Sequence, residues 1–205
     1  DPVLLAAAMN PAMSSWVALR RRIRFGRGQR VLVLGATGNA GRMAIQVAKR
    51  FGAGEVIAAG RDQGRLAELP ALGADKTCGL DDLAAAAEAD VVIDYIWGQP
   101  AAQAMVDIAT ARSDRSRCLT WIQVGSVAGA DAAVASAVLR STRVRIVGSG
   151  IGSVPGRDWI KELPRLAKTV TRGAFDVRAR AVQLSEVEQA WTCANDTADR
   201  IVLVP

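Results

Sequence analysis

The chain has 205 residues, half of them apolar and 22% charged, with 26 basic against 20 acidic side chains and a net charge of +6. That balance excludes a disordered polymer and leaves enough chain for one sizeable core. Histidine is absent, and the three cysteines Cys78, Cys118 and Cys193 are widely spaced, which excludes Ser-His-Asp chemistry, His-ligated metals and a disulfide framework within this chain.

Residues 1–25 read as a helix that ends in an arginine cluster, and much of the basic excess lies in Arg20, Arg21, Arg22, Arg24, Arg27 and Arg30. Such a run can attract nucleic acid or an anionic surface. With no interleaved aromatics, the favoured reading is a solvated helix end whose cations face the C-terminal dipole. No nucleic-acid partner is expected. Val3 to Met9 is apolar, but no basic region precedes it, so a secretory signal fits poorly. No run of about 18 consecutive apolar residues occurs, and no membrane partner is expected. Sparse thiols suit a reducing cytoplasm. The start at Asp1 reads as a processed or truncated chain.

From residue 26 the pattern alternates. Short, continuous, β-branched runs appear at Val31–Leu34, Glu55–Ala59, Asp90–Tyr95, Leu119–Val124 and Val144–Val147, with a further strand at Lys76–Cys78. Strands of this kind are buried on both faces of a parallel sheet. Alanine-rich helical stretches lie between them at Ala40–Phe51, Gln63–Leu72, Leu83–Ala89, Pro100–Ala111 and Ala132–Arg140. Six strands with intervening helices predict an α/β fold, a doubly wound parallel six-stranded Rossmann sheet.

The end of the chain differs. Pro155-Gly156 precedes a helix near Trp159–Thr171, then a strand-like Arg178–Leu184, a short helix from Ser185 and a strand-like Ile201–Val204. Ser185-Glu186-Val187-Glu188 has the form of a capping box. The tail either adds to the sheet or belongs to a second, missing domain. The expected division is an N-terminal helix and linker over residues 1–25, the nucleotide-binding domain over 26–176, and a C-terminal segment over 177–205.

The most informative stretch is Gly35-Ala36-Thr37-Gly38-Asn39-Ala40-Gly41, between the first strand and the first long helix. In a Rossmann turn the first glycine allows the tight exit from the strand. The second lets the backbone approach a pyrophosphate, and the third lets the helix pack on the strand. The helix N-terminus then directs free amides at the phosphates. Strand before and helix after make Gly35, Thr37, Gly38, Asn39, Ala40 and Gly41 a candidate nucleotide cradle. The next strand ends in Gly60-Arg61, where an NAD site would place an acid. Gly60 leaves room there, and Arg61, with Arg65 one turn on, offers cations to a 2′-phosphate. The expected cofactor is NADP. Asp62 keeps the alternative open, since a one-residue shift would set an acid near the ribose. Strand ends at the C-terminal edge add Tyr95, Ile96 and Trp97, then Gly125 and Ser126, then Gly148, Ser149 and Gly150. For Trp97, a cleft residue and a packed aromatic are equal readings.

These motifs in this order resemble the medium-chain dehydrogenase/reductase superfamily, in particular its zinc-independent quinone oxidoreductase-like branch. The matching residues are Asn10-Pro11-Ala12-Met13-Ser14-Ser15-Trp16, Val31–Lys49, Val56-Ile57-Ala58-Ala59-Gly60-Arg61, Leu72-Gly73-Ala74-Asp75, Asp90-Val91-Val92-Ile93-Asp94 and Ala181–Val204. The resemblance implies an NADPH-dependent oxidoreductase acting on a small molecule: a quinone, an enone, an aldehyde or a ketone. It implies that Gly125, Ser126, Gly148, Ser149 and Gly150 lie near the nicotinamide ribose and ring, and that the chain forms a homodimer near the sixth strand. It also implies an N-terminal GroES-like catalytic domain that nothing here matches, to which the segment from about Arg178 would return. Zinc-using relatives place a Cys ligand where Asn10 stands, so no metal is expected. Leu80 stands where relatives often carry a Tyr near the adenosine.

No catalytic acid or base can be named. A short-chain dehydrogenase would need Tyr-x-x-x-Lys, but the single tyrosine, Tyr95, is followed four residues later by Gln99. The remaining alternatives are a zinc-dependent or general alcohol dehydrogenase of the same superfamily and a non-catalytic NADPH-sensing module. The isolated chain is expected to bind NADPH and to be inactive.

Overall fold

The computed structural model describes residues 1–193 and 199–205. Its centre is a parallel sheet of β1 (Arg30–Leu34), β2 (Glu55–Gly60), β3 (Lys76–Gly79), β4 (Val91–Asp94), β5 (Leu119–Gln123) and β6 (Val144–Gly148). The strand order is β3-β2-β1-β4-β5-β6, which is the doubly wound order. β1 pairs with β2 from Arg30↔Glu55 to Leu34↔Ala59, and with β4 from Val31↔Val91 to Leu34↔Asp94. The winding reverses between β1 and β4, which opens a crevice at their C-terminal ends.

Alternation along each strand builds two cores. Val31, Val33, Val56, Ala58, Val91 and Ile93 face one, with α1 (Pro2–Val17), α2 (Asn39–Arg50) and α6 (Gly156–Thr171). Leu32, Leu34, Ile57, Ala59, Val92 and Trp121 face the other, with α4 (Gly98–Ala111). Continuous apolar strands follow from that arrangement, because both pleat faces are covered.

Some predicted helices shorten. Gln63–Leu72 divides into α3 (Gln63–Leu66) and a 3-10 turn at Leu69–Leu72. Pro70 lacks the amide that would continue the α ladder. Leu83–Ala89 contributes only a 3-10 turn, Ala84–Ala86. There Leu83 and Ala86 are buried in the core, and Asp90 is already tied to Arg30 by its amide at 2.9 Å. Tertiary anchoring overrides alanine's helix preference. Ala132–Arg140 gives α5 (Ser136–Ser141), after a turn in which the Val134 amide donates to Ala132 O.

The tail does not join the sheet. β7 (Ala179–Gln183) and β8 (Arg200–Val204) form a separate parallel pair, linked through α7 (Val187–Thr192). Glu186 precedes α7 without a side-chain cap, so the Ser185–Glu188 capping box is not formed. Ser185 lies inside a 3-10 turn, Leu184–Glu186, which moves the helix start beyond it. Residues 194–198 of the matching Ala181–Val204 stretch lie outside the described residues.

The first helix departs from the reading of a solvated end. Pro2–Arg22 is a continuous helical segment of 21 residues, long and apolar enough to cross a membrane by length and composition, with a mean hydropathy of 1.3 over an 18-residue stretch. Half of its apolar window is buried inside the fold. The arginine cluster is not simply solvated. Glu162 of α6, at 0% exposure, accepts from Trp16 Nε1 at 2.9 Å and from Arg21 at 2.6 Å. Arg20 Nε lies 2.7 Å from the same carboxylate, and Arg165 lies 3.3 Å away. The Arg20 guanidinium also sits over the rings of Trp16 and Phe51, which meet edge to face at 4.7 Å. A buried carboxylate needs that many donors, and it takes them from the arginine run. Arg22 in turn donates to Gly148 O at 2.7 Å.

Burial pushes the Glu162 carboxyl up, but the bonds from Trp16 and Arg21 and the charges of Arg20 and Arg21 outweigh it and hold it below its ordinary 4.5. A depressed folded-state value stabilises above the unfolded value, and this contribution is lost as pH falls through the folded value. Glu162→Gln is therefore expected to lower stability by about 2–4 kcal/mol at neutral pH, since two partly buried guanidinium groups lose their counter-charge. Urea unfolding at pH 7 and at pH 4 checks this. The gap between variant and parent should narrow at the lower pH.

Candidate functional site

The turn after β1 is built by hydrogen bonds to its neighbour. The amides of Gly35 and Ala36 both donate to Ala59 O, at 3.1 and 3.0 Å, and Gly35 has φ +79°. That left-handed conformation suits glycine. The Gly38 amide donates to Gly35 O, and the Arg42 amide donates to Gly38 O at 2.9 Å, which starts α2. α2 has no side-chain cap. The amides of Asn39, Ala40 and Gly41 thus form a first turn without intrahelical acceptors. Gly41 is where helix meets strand: a Cβ there would collide with Gly35 O and lie 2.6 Å from Ala36 Cα.

Above this turn opens a cleft of about 770 Å³. Gly35, Thr37, Gly38, Asn39, Ala40 and Gly41 form its floor, Gly60, Arg61 and Arg65 one end, and Ile96 and Gly125 the other. Arg61 is exposed, and among the described residues it has no hydrogen bond or ion pair. The space at Gly60 is used differently from the expectation. A Cβ there would lie 2.9 Å from the Thr37 methyl, so the missing side chain admits Thr37.

Asp62 also lines the cleft, but its carboxylate is engaged. It caps α3 by accepting from the Arg65 amide at 3.0 Å, and it lies 3.5 Å from Arg65 Nε. An Asp directly before a short helix is the sequence signal for that role. Leu80 lines the cleft too, as does Val127, which sequence reasoning missed. Val127 lies just beyond the glycine that follows β5 and carries no chemistry to mark it.

Five expected residues, Trp97, Ser126, Gly148, Ser149 and Gly150, lie outside the lining. Trp97 packs against the core cluster on the α4 side, so the packed-aromatic reading describes it. Ser126 is exposed in the loop after β5. Ser149 follows β6, at the edge of the sheet three strands from β1, and its amide donates to Gln123 O at 2.8 Å. Tyr95 contributes to the cleft wall, while its ring belongs to the core under α1. Its hydroxyl bonds Ser14 Oγ at 2.8 Å, and burial pushes it up to about 12. It is a packing and anchoring group, not a poised proton donor. Burial, with Asp82 and Asp81, pushes the Cys78 thiol up to about 11, so it is no nucleophile. Among the described residues no group of three or more His, Cys, Asp or Glu is placed to share a metal ion. Asn10 is exposed on α1.

Sequence reasoning gave Asp94 no role in the site. It closes β4 at 0% exposure. One carboxylate oxygen accepts from the amides of Ile96 and Trp97 at 2.8 and 2.9 Å, and the other accepts from Trp121 Nε1 at 2.9 Å. Burial pushes its carboxyl above the ordinary value, against the pull of those donors. The signal was available, as an acid ending an otherwise apolar strand.

The third glycine's contact gives a direct test. Gly41→Ala is expected to cost about 1–3 kcal/mol, because backbone must move to admit the methyl. Gly38→Ala, whose Cβ would meet only Gly35 O at 3.7 Å, should leave the melting temperature nearly unchanged. Thermal unfolding of the pair decides.

No family model matches the chain. It is 30% identical over 226 residues to "Probable NADPH-dependent quinone reductase tdiC" of Emericella nidulans, covering 100% of this chain and 62% of that protein. The chain thus spans less than two thirds of this relative's length. Among solved structures, the native mycobacterial quinone oxidoreductase Rv154c superposes with a TM-score of 0.83 at 19% identity, over 98% of this chain and 64% of that one. A probable oxidoreductase from Mycobacterium abscessus gives a TM-score of 0.73 at 27% identity, over 97% of this chain and 61% of that one.

Proposed function

We propose that this chain belongs to the medium-chain dehydrogenase/reductase superfamily, that its cleft holds NADPH and that it serves the reduction of a quinone, enone, aldehyde or ketone. The observation that carries this reading is the single cleft running from the exposed Arg61 across the Gly35–Gly41 turn to Ile96 and Gly125. Its floor suits a pyrophosphate. An uncapped helix N-terminus presents free amides, and the closely packed Gly41 brings them to the strand end. Arg61 and Arg65 at one end suit a 2′-phosphate, and the Arg61 guanidinium has no partner among the described residues. The named relative is described as a probable NADPH-dependent quinone reductase.

When bound, NADPH supplies a hydride to the substrate. The chain's own residues bind and orient. The first-turn amides and Arg61 hold the phosphates, and Ile96 and Gly125 form the wall at the opposite end. Among the cleft's described side chains none is a poised acid or base: Tyr95 is turned into the core, and Asp62 caps α3. We read residues 177–205, whose strands β7 and β8 form a pair apart from the main sheet, as the part that meets a substrate-bearing domain. The reading is zinc-independent, since Asn10 stands where zinc-using relatives carry Cys. β6 at the sheet edge offers the strand along which a second copy would pair.

NADPH is expected to bind at least tenfold tighter than NADH, and Arg61→Ala should remove most of that difference. Fluorescence titration measures both, and equal dissociation constants for the two cofactors would overturn the preference. The purified chain by itself should bind NADPH yet reduce quinones or enones negligibly. Appreciable turnover in a steady-state assay would contradict this.

A further inference from the structure

The end of the cleft opposite Arg61 is formed by two loops, one after β4 and one after β5. Both are tied to Asp94. Its side chain receives the amides of Ile96 and Trp97, and its main-chain oxygen receives those of Val124 and Gly125 at 2.8 and 3.1 Å. The loops are also joined directly, because the Ala128 amide donates to Ile96 O at 2.8 Å.

The loop held this way is not relaxed. Trp97 has φ +51° and ψ −157°, and it is the one non-glycine residue with positive φ among those described. Such a conformation persists where surrounding bonds impose it. The Asp94 carboxylate supplies one of those bonds. Its neighbours are apolar: Leu34, opposite it on β1, and its hydrogen-bond partners Ile96 and Trp121 all belong to one buried cluster. An acid is a costly choice for such a place if packing is its whole purpose. What it secures is the position of Ile96. That side chain abuts the glycine turn, since a Cβ on Gly35 would come within 3.0 Å of Ile96 Cγ2.

We propose that Asp94 is a positioning residue for the nicotinamide half of the cleft, acting through the Ile96 and Trp97 amides to hold the Ile96 wall against the glycine turn. This rests on the cofactor reading above. The adenosine half, at Gly60 and Arg61, lies on the other side of β1, at the end of β2.

The test separates the two halves of the ligand. Titration calorimetry of the full chain is run with NADPH and with adenosine 2′,5′-bisphosphate, which carries the phosphate end and no nicotinamide. Asp94→Asn places an amide NH2 against either Trp121 Nε1–H or the loop amides, so at least one donor loses its partner. It is expected to weaken NADPH at least tenfold while changing adenosine 2′,5′-bisphosphate less than twofold, and to reduce the fluorescence gain of bound NADPH. Ile96→Ala leaves the buried carboxylate alone and should show the same selective loss, several-fold in size. Equal weakening of both ligands by the two variants, or no change in either, would overturn the role of Asp94. Failure of the parent chain to bind either ligand would overturn the cofactor reading itself, and this inference with it.

Discussion

The contact on which the site depends is the approach of α2 to the end of β1, where Gly41 lies against Gly35 O and Ala36 with no room for a side chain. Helix and strand are locked there at backbone distance. That closeness orients the first-turn amides over the turn and sets the depth of the cleft. It also forces the left-handed turn at Gly35, whose amide and that of Ala36 reach across to Ala59 on β2. The geometry of β1, β2 and α2 is thus one constraint expressed three times. An anion-binding end follows from it without any charged side chain.

Around that constraint the molecule places its few buried charges where they tie elements together. Glu162 gathers Trp16, Arg20, Arg21 and Arg165, and so pins α1 to α6. Asp94 gathers two loop amides and Trp121, and so joins the loops after β4 and β5 to the sheet. Asp90 takes the Arg30 amide and an ion pair with Arg117, at the opposite end of the strands. In each case a carboxylate shielded from water is matched by several donors from separate elements, as a low-dielectric interior requires. These groups define how elements sit relative to one another, while the apolar strands supply the bulk of the burial.

The functional reading rests on the same division. The described cleft has donors and cations for a dinucleotide and apolar groups at its far end. It has no side chain placed for proton transfer. A unit that binds a nicotinamide dinucleotide is the reading this distribution supports.

The doubly wound sheet was legible in the sequence because both of its signals are local. Apolar runs such as Val31–Leu34 and Val91–Asp94 report burial on two faces, and Gly35–Gly41 reports a turn whose sterics admit little else. Arg61 and Arg65 were legible for the same reason, since they follow a strand end by a fixed number of residues. What the sequence could not decide was which partner each charge would find. Arg20 and Arg21 read as a solvated helix end until α6, some 140 residues later, delivered Glu162 beside them. Asp94 read as the last residue of a strand, and only the packing of β5 and its Trp121 made it a brace. Leu83–Ala89 read as helix because alanine favours one, and anchoring at Leu83 and Asp90 left room for a single tight turn. Composition and spacing fix local backbone choices. Long-range hydrogen bonds to buried charges exist only once distant segments meet, and tertiary structure alone decided them.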